Sequence, residues 1–190
     1  MDRCAIFIDG AYVDKLFEHH LGGIRVDYAK LATRFSAGKD LLRTYYYHCP
    51  PYQSSPPTVE ERRRFSSSER FFGALSRLPR FQVRLGKLEY RGDRDDGSPI
   101  FVQKRVDILL GVDMVELAAT RQITQAILVA GDSDFLPAIE VVKRHGVLTE
   151  LWHGTRGGQG RQSTCHNDLW NMCDERFEID ADVAEEISRD

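Results

Sequence analysis

Two short apolar runs each end in an acid and pass straight into a helical pattern. Cys4-Ala5-Ile6-Phe7-Ile8 is followed by Asp9-Gly10 and an amphipathic stretch from Ala11 to His19. Ala126-Ile127-Leu128-Val129-Ala130 is followed by Gly131-Asp132-Ser133-Asp134 and a second helical pattern through Phe135, Leu136, Ile139 and Val142. An apolar run of strand length without alternation reads as a strand buried on both faces, and such strands belong to parallel sheets covered by helices. Parallel neighbours also require a long crossover, which the following helices supply. The expected architecture is therefore α/β: a three-layer α/β/α sandwich with a central, mostly parallel sheet in a single domain. Length agrees, because 190 residues suffice for one full core.

The rest of the chain fits this alternation. Tyr28 to Phe35 reads as a helix capped by Asp27, Leu41 to His48 as a strand, and 50–57 as a loop rich in Pro and Ser. A long amphipathic helix is expected from Thr58 to Leu78, and a strand from Phe81 to Tyr90 that turns at 91–97 into a hairpin partner, Ile100-Phe101-Val102. Arg105 to Arg121 is apolar on almost every side, which predicts a fully buried helix. A short strand at 147–152, a Gly-rich loop at 154–161, a helix at 164–173 and a last strand at 177–179 follow. The domain is expected over 1–180, with a β-hairpin insertion around 81–103 and a C-terminal tail at 181–190.

Folds of this kind place their sites at the carboxyl ends of the strands, where Asp9, Asp132 and Asp134 fall. A helix cap explains any one of these residues equally well. Asp107 adds weight, because Val106, Ile108, Leu109 and Leu110 cannot satisfy its charge. If Asp9, Asp107, Asp132 and Asp134 converge, each pair about 4 Å apart repels by roughly 4 kcal/mol at an effective dielectric near 20. An all-oxygen cluster without His or Cys suits a hard cation, Mg2+ or Mn2+, and Mg2+ in turn takes phosphate oxygens. Asp113 lies six residues beyond Asp107, about 9 Å along the helix and roughly 120° around it, so it either supports the site from behind or pairs elsewhere.

The formal net charge of −3 means that any basic surface is local. Arg62, Arg63, Arg64, Arg70, Arg77, Arg80, Arg84 and Lys87 form the most basic region, readable as a solvated helix face or as a surface that tracks phosphates. Arg156 and Arg161, in the Gly-rich loop, either hold phosphates or belong to an ordinary surface loop. Tyr45, Tyr46, Tyr47 and Tyr52 could stack on bases or fill the core. Cys4, Cys49, Cys165 and Cys173 form no CxxC pair, which argues for reduced thiols and a cytoplasmic location. The first apolar run is too short for a signal segment, and no run approaches a membrane span.

The stretches 6–14 (IFIDGAYVD), 104–114 (KRVDILLGVDM) and 127–135 (ILVAGDSDF) resemble the three motifs of the NYN domain in its LabA-like branch. Ser163, Leu169, Asp174 and Phe177 resemble the order of residues that closes that branch. The resemblance implies a PIN-like, Rossmann-like fold and a metal-dependent ribonuclease, with RNA, single-stranded or structured, as the partner. It implies that Asp9, Asp107, Asp132 and Asp134 are the metal-binding and catalytic acids. Two positions depart from the pattern: Tyr12 stands where the family has Asn, and Arg105 where it favours Gly in Lys-Gly-Val-Asp. Arg105, with Lys104, adds positive charge suited to substrate near the site.

Three functions compete. A metal-dependent endoribonuclease leads. An RNA-binding or regulatory module without turnover draws on Tyr12. A phosphohydrolase of the haloacid-dehalogenase type would need a second acid where the chain has Ala11. No membrane partner is expected, and a homo-oligomer is compatible with everything above.

Overall fold

The computed structural model describes residues 2–157 and 163–189. In chain order the elements are β1 (Arg3–Asp9), α1 (Gly10–His19), α2 (Tyr28–Phe35), β2 (Asp40–His48), α3 (Val59–Leu75), β3 (Phe81–Leu85), β4 (Lys87–Asp93), β5 (Pro99–Lys104), α4 (Val106–Ala119), β6 (Gln125–Val129), α5 (Leu136–Arg144), β7 (Leu148–His153), α6 (Asn167–Met172), β8 (Glu175–Glu178) and α7 (Ala181–Glu186). Six strands form one sheet in the order β3-β2-β1-β6-β7-β8, and every neighbouring pair is parallel. The chain winds outward from β1 in one direction and then from β6 in the other. The switch point therefore lies between β1 and β6, where open α/β sheets form their crevice.

Period-two alternation divides β1 between the two layers of the core. Ala5 and Phe7 pack with Tyr45, Tyr47, Leu110, Met114, Phe135 and Ile139, under α4, α5 and α6. Cys4, Ile6 and Ile8 pack with Val13, Leu16, Leu31, Phe35, Tyr46 and Phe72, under α1, α2 and α3. Both faces are thus covered, which is why the strand reads as apolar without a break. Tyr45, Tyr46 and Tyr47 are all buried, so these three are core residues and unavailable to bases. The four cysteines are buried and free.

Three expectations change. The segment 81–90 is two strands, not one: β3 joins the main sheet, while β4 pairs antiparallel with β5 as a separate hairpin. Gly86 is the hinge, since its N–H donates to His48 O at 2.8 Å and a Cβ there would stand 2.4 Å from Lys104 O. The hairpin is accordingly 87–104. Helix α4 is not buried all round. Val106, Leu110, Met114 and Leu117 face the sheet, but Ile108 and Val112 are 71% and 56% exposed. Only one stripe of a helix can meet a flat sheet, and α5 covers the flank near Gly111 without reaching the outer face. Finally, residues 181–189 are docked: Ala184 and Ile187 are fully buried, and Ile187 O accepts from Asp27 N–H at 2.8 Å.

Candidate active site

Residues Ile8 and Val129 sit abreast in the parallel pair β1–β6, so both strands deliver their following acids to the same edge. Asp9 turns into the N-cap of α1 and accepts from Tyr12 N–H at 3.2 Å. Gly10 allows that turn to lie against β2, because a Cβ would stand 2.5 Å from the Tyr46 ring and 2.6 Å from His48. Asp132 repeats the device, accepting from Asp134 N–H at 3.1 Å at the start of a short 3-10 turn, Ser133–Phe135. Both acids are therefore caps. A carboxylate has several acceptor positions, so a cap bond through Oδ1 leaves Oδ2 able to hold a ligand. Capping and ligation are compatible here.

Asp107 comes from the first turn of α4. It joins Asp9 and Asp132 on the wall of one open cleft of about 1050 Å³, whose lining also includes Tyr12, Lys15 and Thr164. Burial pushes the Asp9 carboxyl up to about 6, Tyr12 N–H pulls it down, and the charge of Asp107 pushes it further up. Asp107 is also raised, first by burial and then by Asp132 and Asp134. These acids repel one another, and a cation would relieve that repulsion.

Asp134 points elsewhere. It lines the neighbouring groove between α4 and α5, and Asp107 stands between the two openings. Among the described residues, no three His, Cys, Asp or Glu side chains are close enough to grip one ion together. The donors therefore do not form a closed protein cage. A hydrated hard cation needs only one or two carboxylates and fills its remaining positions with water and phosphate oxygens. Of the acids on this wall, Asp9, Asp107 and Asp132, one or two could serve it in that way.

Lys104 and Arg105 also border the α4–α5 groove and not the acidic cleft. Arg105 carries a φ of 75°, a left-handed backbone that favours glycine. The guanidinium of Arg156 lies 4.0 Å from the centre of the Trp170 ring and donates to Asn167 Oδ1. Arg161 lies outside the described residues. Asp113 does not line the cleft; it accepts from Tyr47 Oη–H at 2.8 Å and pairs with Arg84 at 3.1 Å. It is a structural acid.

Some cleft residues escaped the sequence reading. Lys15 follows Asp9 and Tyr12 at three-residue steps, a helical spacing that would have revealed it. Phe101 and Gln103 reach the cleft only because the hairpin folds over it, which no local pattern announces. His48, at the end of β2 beside Asp9, hydrogen-bonds Asp14 at 3.0 Å. Burial opposes its protonation, yet the bonds to Asp14 and Cys49 O leave it raised overall.

The departure at position 12 has a physical account. The Tyr12 hydroxyl accepts from Gly154 N–H at 2.8 Å and lies 3.4 Å from Thr164 Oγ1, while its backbone N–H still orders Asp9. Comparison with known families decides the rest: the NYN domain model matches residues 3–178. The chain belongs to the NYN domain family. Its fold is that of the PIN-like nucleases. This NYN domain is 31% identical over 88 residues to uncharacterized protein y4oD of Sinorhizobium fredii (strain NBRC 101917 / NGR234), a match covering 45% of the chain and 37% of that relative. The chain thus spans little more than a third of that relative's length. A crystal structure of a protein of unknown function from Vibrio parahaemolyticus RIMD 2210633 superposes with a TM-score of 0.61 at 21% identity, covering 95% of this chain and 94% of the other. That likeness concerns the fold. Among the described residues, no helix is long and apolar enough to cross a membrane.

Proposed function

We propose that this NYN domain is a metal-dependent endoribonuclease that hydrolyses RNA phosphodiester bonds at the cleft between β1 and β6. The observation that carries the reading is the placement of Asp9, Asp107 and Asp132 along one cleft wall, with Asp9 and Asp107 raised in part by charged neighbours. Mg2+ or Mn2+ bound there would polarise the phosphoryl group and make water a better nucleophile. Asp9 and Asp132 are oriented by their cap bonds and present fixed oxygens from two adjacent strand ends. Asp107 faces them from α4, and Asp134 adds negative charge behind it. Lys15 is a cation on the cleft wall and can balance phosphate charge. Rigid caps at strand ends suit this work, because the acids need no rearrangement when the substrate arrives.

A second reading, an RNA-binding module without turnover, draws on Tyr12 in place of Asn and on the absence of a three-carboxylate grip among the described residues. One experiment separates the two. An end-labelled RNA oligonucleotide is incubated with the protein in Mn2+, in Mg2+ and in chelator. The nuclease yields internal fragments with metal only, and Asp107→Asn abolishes them. Binding without fragments in any metal establishes the second reading.

A further inference from the structure

The hairpin β4–β5 carries a face that the acidic chemistry does not use. Tyr90 sits directly across from Phe101, and Leu88 across from Gln103. Directly paired residues share one side of a two-stranded ribbon, so these four side chains form a single face. Leu88, Phe101 and Gln103 line the acidic cleft, and Tyr90 continues the same face beyond it. Tyr52, from the loop between β2 and α3, completes an aromatic trio. Its ring centre lies 5.2 Å from Phe101 and 6.0 Å from Tyr90, and Tyr90 and Phe101 are 6.0 Å apart. Tyr90 and Phe101 are nevertheless 43% and 40% exposed. The rings are mutually tilted by 36° to 59°, which leaves ring faces open instead of closing them on one another.

The geometry points to a base-binding subsite: Tyr90, Phe101 and Tyr52 form a platform on which an unpaired nucleobase stacks while its phosphate lies in the acidic cleft. This rests on the nucleic-acid reading above and deepens it, by naming the part of the substrate that the hairpin reads. Two features favour a nucleobase over an apolar peptide. The platform is continuous through Phe101 with a wall bearing Asp9, Asp107 and Asp132, which suits a phosphate carried with a cation and repels an acidic peptide. The flat ring faces, finally, offer stacking to any base without demanding a sequence. A base in a duplex is already stacked and cannot enter, so the subsite selects unpaired strands.

The test measures binding by the full chain in Ca2+, a hard cation that takes carboxylate and phosphate oxygens, using fluorescence anisotropy with a gel check that the probes stay intact. The probes are a short single-stranded RNA, the same strand with abasic riboses, and a blunt duplex of equal length. The wild type should prefer the base-bearing strand to the abasic one by about tenfold or more, the scale of one stacked base. Tyr90→Ala with Phe101→Ala should remove that preference and leave abasic binding unchanged, while Phe101→Trp should restore it. Phe101→Trp also controls for folding, since it keeps a ring in the hairpin. Equal wild-type affinity for base-bearing and abasic strands overturns the subsite while leaving the nuclease reading intact. So does unaltered base preference in the double variant. Failure of the wild type to bind any of the three probes overturns both. A change of oligomeric state in the double variant, with RNA affinity unchanged, would assign the platform to a second copy of the chain and overturn the inference.

Discussion

The hydroxyl of Tyr12 accepts the N–H of Gly154 at 2.8 Å, joining the first turn of α1 to the end of β7. The same ring closes over Gly131, where a Cβ would stand 2.4 Å from Tyr12 Cε2. One side chain thus fastens three strand ends around the cleft, and burial raises its phenol to about 12, so it stays protonated at any ordinary pH. Tyr12→Phe leaves Gly154 N–H without its acceptor and should cost about 1–2 kcal/mol. Tyr12→Asn should cost more, by adding a cavity. Asp9 should stay capped in both, because its donor is the backbone. Urea denaturation measures the loss. Wild-type stability in both variants would show that the phenol fastens nothing.

Asp9 should make the metal-free protein less stable as pH rises. Its folded carboxyl is raised to about 6 from an ordinary value near 3.8, so the folded state holds the proton more tightly. This contribution is fully present below about pH 4 and is lost as pH climbs through about 6. Asp9→Asn keeps a good N-cap and removes the titration. In chelator the variant should therefore melt higher than the wild type at pH 7, with the gap narrowing towards pH 4. A variant that melts well below the wild type at pH 7 would make Asp9 a purely structural acid.

Metal affinity should follow the same proton with the opposite consequence. A cation needs the ionised carboxylate, so Mn2+ binding measured by calorimetry should be level above about pH 7. It should weaken by roughly tenfold per unit below pH 6. Asp132→Asn should weaken it throughout. Affinity independent of pH between 5 and 7 would remove Asp9 from the ligand set.

Arg105 holds a backbone conformation suited to glycine, at a cost of about 1 kcal/mol. Arg105→Gly should therefore raise the melting temperature. If Arg105 contacts a phosphate, the same change should weaken RNA binding and reduce the salt slope by about 0.7. Greater stability with an unaltered slope would mean that the strain serves no substrate contact.

Asp113 provides the contrast. Asp113→Ala leaves Tyr47 Oη and Arg84 without their shared partner and should cost about 1–3 kcal/mol, discounted for the partial exposure of Arg84. RNA cleavage per folded molecule should be unchanged. Loss of cleavage with stability intact would place Asp113 in the site after all.

What the sequence determined by itself is the layer order and the edge where the acids lie. The apolar runs 4–8 of β1 and 126–129 of β6 are buried on both faces, so they are unbroken, and each turns into a helix through residues that local sterics select. Gly10 and Gly131 are required by close approaches of backbone and ring, and Asp9 and Asp132 accept hydrogen bonds within three residues of themselves. These are short-range effects and are legible locally. Tertiary structure decided which acids share a wall. Asp134 stands two residues from Asp132, yet the 3-10 turn carries it round to the α4–α5 groove. Composition marked α4 as buried, but whether Ile108 and Val112 are covered depends on where α5 packs, which is a long-range matter. The same holds for Phe101 and Tyr90, whose place beside the acids depends on the break at Gly86 that sends β4 out of the sheet and folds the hairpin over the cleft. Burial patterns report how much of a side chain is covered, and only packing reports by what.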